Sequence, residues 1–360
     1  MSSKKDKFSS SDEYYMNLAI NLAKNQKGIT GTNPPVGCVI VKNKQVISFG
    51  ATNVNGRPHA ETVALSKNKK ENIGSTVYLT LEPCSHYGKT PPCTNSLIKS
   101  KVFKVIYSIE DYDSRSFNKS KKILITKKIK TESGLLSKKV KKLYKSYIYI
   151  KKNKLPYVVG KIACSSNYYI LKKKNFITNL YSRNTSHLLR YQNQAILTSY
   201  KTINNDDPKL SCRLNGLKKF SPIKIILDRD LKININSYVI KNSINLKTII
   251  FHNSKNINKI LILKKKGVKL IFFDVEKDNY FDLRKIIKKI YNLNIHTILI
   301  ECGKKLTNKF LSNNLINEFY LFKGNKYLKN RDKIKVLNIK TKLNRNFKHK
   351  NYINTYLDKD

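Results

Sequence analysis

The sequence predicts an α/β protein of two domains, the first of them an α/β sandwich. Its 360 residues exceed the commonest size of a single domain, and apolar residues make up 40% of them, enough for two cores. Short apolar strands alternate with amphipathic helices along the chain. The alternation restarts after a Lys-rich joint, "KKNKLP". These observations predict one domain at 1–150 and a second at 151–360.

The first domain is predicted to begin with an amphipathic helix in "SDEYYMNLAINLAKNQKG". Ser10 and Glu13 have the spacing of a capping box, and Gly28 suits the end of the helix. Two strands joined by a short turn follow in "VGCVIVKNKQVISFG", then a helix in "HAETVALSK" and a strand in "TVYLTLEPC". The domain continues with a short helix in "TNSLIKS", a strand in "VFKVIYSI" and one long basic helix in "SGLLSKKVKKLYKSYIYI". Strands that alternate with helices predict a mostly parallel sheet.

The second domain is predicted to begin with the strand "LPYVVGKIACS" and the helix "RNTSHLLRYQNQ". Four strands follow in "AILTSY", "IKIILD", "TIIFH" and "VKLIFF". After them come a helix in "FDLRKIIKKIYNL", a strand in "TILIEC" and a helix in "KLTNKFLSNN". The last 30 residues are rich in Lys and Asn, and the pattern assigns them no element. The sequence therefore predicts a second α/β unit, and no internal repeat relates it to the first.

The charge balance suggests a nucleic-acid-binding protein first, because the chain has 72 Lys and Arg but 23 Asp and Glu, a net charge of +49. Three features argue against a specific nucleic-acid partner. The excess extends over both halves, it is mostly Lys rather than base-reading Arg, and it accompanies abundant Ile, Asn and Tyr, a pattern that compositional drift explains. We expect weak, non-specific binding, and a nucleic-acid-binding or editing deaminase stays the alternative from another class.

The start of the chain and its cysteines indicate the compartment. The first residues, "MSSKKDKFSSSDEYY", are polar and do not read as a signal peptide. No apolar run approaches the roughly 20 residues of a membrane span. Only six cysteines occur in the chain. We therefore expect a cytoplasmic protein with reduced thiols and no membrane partner, in which clustered cysteines bind metal or do chemistry.

Four residues form the most specific constellation in the sequence. His59 and Glu61 stand at the start of a predicted helix, and Cys84 and Cys93 lie on the loop after a predicted strand. One imidazole and two thiolates suit Zn²⁺ and leave its fourth position open for a reactive water. Glu61, close by but not a ligand, can then carry protons as the catalytic acid and base. Taken singly, a His-x-Glu pair is more often an ordinary helix start, and two such cysteines are more often unconnected.

The combination is similar to the zinc deaminase signature, a His-x-Glu helix start followed by Pro-Cys and a further Cys. The spacing departs from that signature, since eight residues separate Cys84 from Cys93 instead of two. On "NPPVGCVIV", "PHAE" and "LEPCSHYGKTPPCT", the chain resembles the bifunctional deaminase–reductases of riboflavin biosynthesis. The resemblance implies a cytidine-deaminase-like α/β/α sandwich followed by a dihydrofolate-reductase-like α/β domain.

The resemblance also implies a substrate for the first domain, the phosphorylated pyrimidine 2,5-diamino-6-(5-phosphoribosylamino)pyrimidin-4-one, which loses ammonia by hydrolysis. Asn33 would hydrogen-bond the pyrimidine, and His86 and Lys89 would bind the phosphate. Cys38 lies in an apolar strand and is predicted to be a core residue. After Asp111 the sequence departs from the family, because "YDSRSFNKS" has no glycine and does not keep the family's Asn at its position in a loop that helps close the site.

For the second domain, the resemblance implies NADPH-dependent reduction of the ribosyl group to ribityl, with the hydride supplied by the cofactor. The matching substrate-side positions are Arg190, Leu210, Arg213 and Glu301, and the cofactor-side positions are Ala163, Phe176, Thr202, Asp206 and Gly303. Two arginines suit a phosphate, and a helix that opens at Gly303 suits a pyrophosphate. The resemblance is also compatible with a homo-oligomer.

Three departures concern the reductase. The family's Ser-Leu-Asp-Gly stretch reads "SSNY" at 165–168, Phe176 stands where a Trp usually stacks, and "GNKYLK" replaces a Pro-Lys-Leu-Leu-Gly segment. The alternative within enzymes is therefore a deaminase whose second domain is only a scaffold.

Overall fold

A computed structural model describes residues 7–171, 177–328, 333–335 and 352–357 of the chain. The chain divides into two compact units, 1–154 and 155–360. Each unit has its own sheet and its own apolar core.

The elements of the first unit alternate between helix and strand. Its helices are α1 (Ser10–Asn25), α2 (Ala60–Lys67), α3 (Cys93–Lys99), α4 (Ser120–Thr126), α5 (Ser137–Leu143) and α6 (Lys145–Asn153). Its strands are β1 (Gly37–Lys42), β2 (Gln45–Ala51), β3 (Thr76–Leu81), β4 (Lys104–Ile109) and β5 (Lys130–Ser133). They form one sheet in the order β2-β1-β3-β4-β5.

This sheet is mixed, whereas the sequence predicted a mostly parallel one. β1 runs antiparallel to β2 and β3, and β3, β4 and β5 run parallel to one another. β1 and β2 are joined by Asn43 and Lys44, whose φ angles of 50° and 63° are both left-handed, as in a type I′ turn. That turn reverses the chain at once, so β2 must pair antiparallel.

Two local predictions in this unit are wrong. The cap of α1 is formed by Ser9 and Asp12, one residue before the predicted Ser10 and Glu13, because the Ser9 hydroxyl accepts from the Asp12 amide. The long basic helix is two helices, which meet at Tyr144. Tyr144 is buried, and its hydroxyl donates to the Pro35 carbonyl at 2.8 Å. A tertiary contact thus holds the residue at which the helix breaks.

Two glycines bring the helices of the first unit close to its sheet. A Cβ at Gly37 of β1 would collide with the backbone of Ala19 in α1, and one at Gly50 of β2 would collide with the backbone of Ala60 in α2. α2 therefore lies directly against the sheet, and its first turn has a fixed place. Cys38, next to Gly37, is fully buried in the core as predicted.

The second unit is a larger α/β fold. Its helices are α7 (Leu180–Gln192), α8 (Tyr200–Asp206), α9 (Tyr238–Lys241), α10 (Ser243–Leu246), α11 (Ile257–Lys265), α12 (Leu283–Asn292) and α13 (Lys304–Ser312). Its strands are β6 (Tyr157–Cys164), β7 (Tyr169–Leu171), β8 (Ala195–Ser199), β9 (Ile223–Leu227), β10 (Thr248–His252), β11 (Lys269–Phe272), β12 (Thr297–Ile300), β13 (Glu318–Lys323), β14 (Lys333–Lys335) and β15 (Tyr352–Leu357).

Eight of these strands form a parallel sheet in the order β11-β10-β9-β8-β12-β6-β13-β15, and β7 pairs antiparallel with β14. In an open parallel sheet, ligands bind beyond the carboxyl ends of the strands. The ends of β6, β8, β9 and β12 therefore mark the place of a site in this unit.

None of the described helices combines the length and the apolar character that a bilayer crossing requires. All six cysteines are free thiols.

Candidate functional site

One nitrogen and two sulfur atoms of side chains lie close together in the first unit, because three turns place them there. His59 is the N-cap residue of α2, Cys84 follows the end of β3, and Cys93 is the first residue of α3. The donor atoms of these three side chains all lie within 4.8 Å of one another. Among the described residues, no other group of His, Cys, Asp and Glu side chains meets in this way.

The spacing of these atoms fits a tetrahedral zinc centre. His59 Nδ1 lies 3.3 Å from the Cys93 sulfur and 3.7 Å from the Cys84 sulfur. Zinc bonds of about 2.0–2.3 Å place neighbouring tetrahedral ligands about 3.6 Å apart. The Cys93 amide also donates to the Cys84 sulfur at 3.2 Å, which holds the two cysteines in this arrangement.

The two cysteine sulfurs shift each other's pKa in opposite directions. The hydrogen bond between them lowers the pKa of Cys84 to about 4 and raises the pKa of Cys93 well above its usual range. The hydrogen bond from His59 to Cys84 raises the pKa of His59. Cys84 is thus ready to bind as a thiolate, whereas Cys93 must lose a proton when a metal binds.

Glu61 lies beside these ligands in the first turn of α2. Its side chain is buried, with 4% of the residue exposed. Burial and the nearby Cys84 sulfur raise the pKa of Glu61 to about 7. A carboxyl group that gains and loses a proton near neutral pH can act as both acid and base.

The residues predicted to bind the pyrimidine substrate surround the zinc ligands in the chain. The Asn33 amide nitrogen donates to the Gly56 carbonyl at 2.9 Å, which fixes the orientation of the amide. His86 is half-buried, and its Nδ1 lies 2.8 Å from the Ser116 hydroxyl. Lys89 is exposed on the same loop as His86. The structure thus fixes Asn33 and His86 by hydrogen bonds and leaves Lys89 on the surface of the loop.

The loop that departs from the family is held by a residue that the sequence did not single out, Glu82. One carboxylate oxygen of Glu82 accepts from the amides of Asp111 and Asn118, at 3.0 and 3.1 Å. The other accepts from the amide and the hydroxyl of Ser120, at 3.1 and 2.7 Å. Because Glu82 stands two residues before Cys84, it connects this loop to the candidate zinc ligands. The only sequence signal was its place in "LEPC".

The second unit contains a cavity of about 1800 Å³ beyond the carboxyl ends of its strands. Eight residues predicted for the reductase site line it, namely Ala163, Arg190, Thr202, Asp206, Leu210, Arg213, Glu301 and Gly303. Gly303 is the N-cap residue of α13, as predicted. Phe176, the ninth, lies outside the described residues.

An ion-pair cluster lies in the wall of this cavity. Arg190 holds Glu301 with two hydrogen bonds, at 3.0 and 2.7 Å, and Lys161 approaches the same carboxylate at 3.5 Å. Burial alone would raise the pKa of Glu301, but Arg190 and Lys161 hold it well below its usual range. Lys161 was not among the residues predicted for this site. Its signal in the sequence is a charged residue inside the apolar stretch "VVGKIAC".

The altered "SSNY" turn is held by its own hydrogen bonds. The Ser165 hydroxyl accepts from the Tyr169 amide at 3.0 Å, and the Asn167 amide nitrogen donates to the Leu328 carbonyl at 3.0 Å. Tyr168 takes a left-handed φ of 62°, a conformation that suits the family's glycine better.

Comparison with known proteins matches both units. Residues 9–109 match the cytidine and deoxycytidylate deaminase zinc-binding region, and residues 160–328 match the RibD C-terminal domain. The riboflavin biosynthesis protein RibD of Aquifex aeolicus is 31% identical over 319 residues, which cover 86% of each chain. RibD of Buchnera aphidicola is 32% identical over 335 residues, which cover 89% of this chain and 88% of that protein.

Solved structures are similar along the same length. Acinetobacter baumannii RibD superimposes with a TM-score of 0.80 at 29% identity, over 91% of this chain and 90% of that one. A diaminohydroxyphosphoribosylaminopyrimidine deaminase/5-amino-6-(5-phosphoribosylamino)uracil reductase from Thermotoga maritima gives a TM-score of 0.79 with the same identity and coverage. The similarity spans the zinc-ligand candidates and the cavity of the second unit, and the chain therefore belongs to the RibD family of bifunctional deaminase–reductases of riboflavin biosynthesis.

Proposed function

We propose that the first unit binds one zinc ion through His59, Cys84 and Cys93 and hydrolyses an amino group from 2,5-diamino-6-(5-phosphoribosylamino)pyrimidin-4-one. The second unit then reduces the ribosyl group of the deaminated product to ribityl with NADPH. The observation that carries the proposal is the meeting of three soft donor atoms within 4.8 Å beside a buried carboxyl group. The need for thiolate ligands also suits a reducing compartment such as the cytoplasm.

Glu61 moves the protons of the deamination. Zinc in this site would supply Lewis-acid activation of the attacking water. The Glu61 carboxylate accepts a proton as water adds to the ring carbon, and it returns a proton to the amino nitrogen, which leaves as ammonia. Its pKa near 7 suits both transfers. Asn33, fixed by its hydrogen bond to Gly56, would hold the pyrimidine during this exchange.

The cavity of the second unit has room for two ligands. Its volume of about 1800 Å³ exceeds the roughly 300–1,000 Å³ of a pocket for one small molecule. Arg213 is exposed in the wall and can meet the phosphate of the substrate. Gly303 opens α13 in the same wall and can meet the pyrophosphate of NADPH.

Lys161 and Glu301 give this cavity a group that can donate a proton. Lys161 lines the cavity, and its side-chain nitrogen lies 3.5 Å from the Glu301 carboxylate, which orients it. NADPH bound in this cavity would supply the hydride for the ribosyl carbon, and the ring oxygen that becomes a hydroxyl needs one proton. Lys161 is the donor that we assign to this step.

The products of two parallel incubations test the proposal. The purified chain is given the diaminopyrimidine with and without NADPH, and the products are identified by mass spectrometry. We expect the deaminated ribosyl compound without NADPH and the ribityl compound with it. Deaminated product alone in both samples would support the scaffold alternative. No deamination, together with turnover of RNA or DNA, would support the editing alternative and overturn the proposal.

A further inference from the structure

We propose that Arg57 binds the 5′-phosphate of the deaminase substrate together with His86, in a gap beside Gly88. This inference rests on the function proposed above, and it adds a residue that no motif had indicated. Ser116 is a positioning residue in the same proposal, because it acts on the substrate only through His86.

Arg57 stands two residues before His59, and its side chain reaches a different loop. One guanidinium nitrogen, Nη1, donates a hydrogen bond to the Thr90 hydroxyl, on the loop between Cys84 and Cys93. Arg57 is only half-buried. A single contact of this kind uses one of the five N–H groups of a guanidinium, so the others stay available for an anion.

The second guanidinium nitrogen lies close to Gly88. A Cβ added to Gly88 would lie 3.6 Å from Arg57 Nη2 and 3.9 Å from His86 Nε2. Gly88 is not among the glycines with a positive φ, so its backbone does not require glycine. A side chain at Gly88 would contact both nitrogen atoms, and glycine leaves them uncovered at this point.

Ser116 sets which nitrogen of His86 carries the proton. Ser116 is fully buried, and its hydroxyl oxygen accepts from the Ser85 amide at 3.3 Å. We assign the proton of this hydroxyl to the hydrogen bond with His86 Nδ1, 2.8 Å away. In the tautomer that we propose, Nδ1 accepts and Nε2 carries the hydrogen that faces the gap.

The chemistry of the gap selects a small anion with several oxygens. A guanidinium from one loop and an imidazole N–H from another can each donate to a different oxygen of a phosphate. Lys89 is exposed one residue after Gly88 and adds positive charge at the same loop. Within the proposed substrate, the 5′-phosphate is the group with this charge and these acceptors.

The test compares two substrates that differ only in the phosphate. The full-length, zinc-loaded chain is assayed with the phosphorylated diaminopyrimidine and with its dephosphorylated riboside. Arg57→Ala is expected to raise KM for the phosphorylated form about 10- to 100-fold and to leave the riboside unchanged. Arg57→Lys, which keeps the charge, should recover part of the loss. Equal losses on both substrates, or no change in KM, would overturn the role of Arg57.

Gly88→Val provides a second variant that leaves both donors in place. Its side chain would fill the gap, so we expect the same selective rise in KM for the phosphorylated form. Zinc content and the melting temperature of each variant are measured alongside. A riboside-only loss in Gly88→Val would contradict the proposed location. If the unaltered chain deaminates neither substrate, the proposed function itself fails and this inference with it.

The role of Ser116 has a spectroscopic readout. ¹⁵N NMR of the unaltered chain should show His86 with its hydrogen on Nε2, and Ser116→Ala should shift it toward the mixed state of a free imidazole. KM for the phosphorylated form should rise by a few-fold, because His86 is no longer held. Ser114→Ala, on the same loop but exposed, is the matched control and should change neither. An unaltered His86 spectrum in Ser116→Ala would rule out this positioning role.

Discussion

The two units place their functional residues in opposite ways. In the first unit, His59, Cys84 and Cys93 come from three neighbouring turns, and their donor atoms lie within 4.8 Å of one another, with the buried Glu61 two residues after His59. In the second unit, the lining residues come from the ends of several strands between Lys161 and Lys309, and they surround a cavity of about 1800 Å³. A compact metal site leaves a short motif in the sequence, whereas a distributed cavity leaves only scattered positions.

The comparison also explains why the two units tolerate change differently. A zinc ligand or its acid–base partner has few chemical substitutes. A cavity wall binds through many weak contacts, so we expect the loss of any single contact to have a smaller effect. Substitutions should therefore abolish activity in the first unit and reduce it in the second.

The largest effect is expected for Glu61→Gln, which keeps the shape of the side chain and removes its basicity. Deamination should fall by about a thousandfold, because acid–base catalysis contributes on that order. NADPH oxidation with the deaminated intermediate should be unchanged. The assay follows ammonia release, and Glu71→Gln, on the exposed surface of the same unit, is the control. Normal deamination by Glu61→Gln would refute the assigned mechanism.

A smaller loss is expected for Glu301→Gln in the second unit. Arg190 and Lys161 would lose the charge that compensates them inside the cavity wall, and the substrate contact would be weakened. We expect reductase activity to fall about a hundredfold, while an uncompensated buried charge costs about 3–5 kcal/mol of stability. Initial rates of NADPH oxidation and urea unfolding measure the two effects. Glu276→Gln, in an exposed ion pair with Lys285, should change neither.

These predictions separate what the sequence could and could not indicate. The two-domain α/β class is confirmed. It could be predicted because apolar strands alternate with helices along the chain. The zinc ligands could be proposed because His59 and both cysteines carry distinctive chemistry at short range. Glu82 and Ser116 could not, because their roles consist of hydrogen bonds to residues about 30 or more positions away. Such partners depend on how the loops pack, which no local pattern reports.

A buried lysine in the second unit should make stability depend on pH. Burial and the nearby Arg190 lower the pKa of Lys224 to about 8, whereas an unfolded lysine titrates near 10.4. Between these values the unfolded chain binds more protons, so stability should rise as pH increases from 8 to 10. Lys224→Met should remove this rise and stabilise the unit by about 2 kcal/mol at pH 7. Thermal melting at several pH values measures both, and Lys269→Met, exposed on β11, is the control.

The smallest effect on stability is expected at Lys128, where this glycine-poor chain has a lysine at a position that favours glycine. Lys128 ends α4 with a left-handed φ of 61°, and the amides of Lys128 and Ile129 donate to the carbonyls of Ile125 and Leu124. This is a Schellman motif, in which glycine is the favoured residue. Lys128→Gly should stabilise the first unit by about 1 kcal/mol in urea unfolding. Lys127→Gly, at a right-handed φ of −97°, should instead destabilise it slightly.

The central claim is that His59, Cys84 and Cys93 hold a zinc ion that Glu61 serves without binding it. The most direct measurement is the zinc content of the purified chain and of three variants. We predict one zinc per chain in the unaltered protein and in Glu61→Gln, and none in Cys84→Ser or Cys93→Ser. Absence of zinc from the unaltered chain, or full retention of zinc in both cysteine variants, would contradict the account.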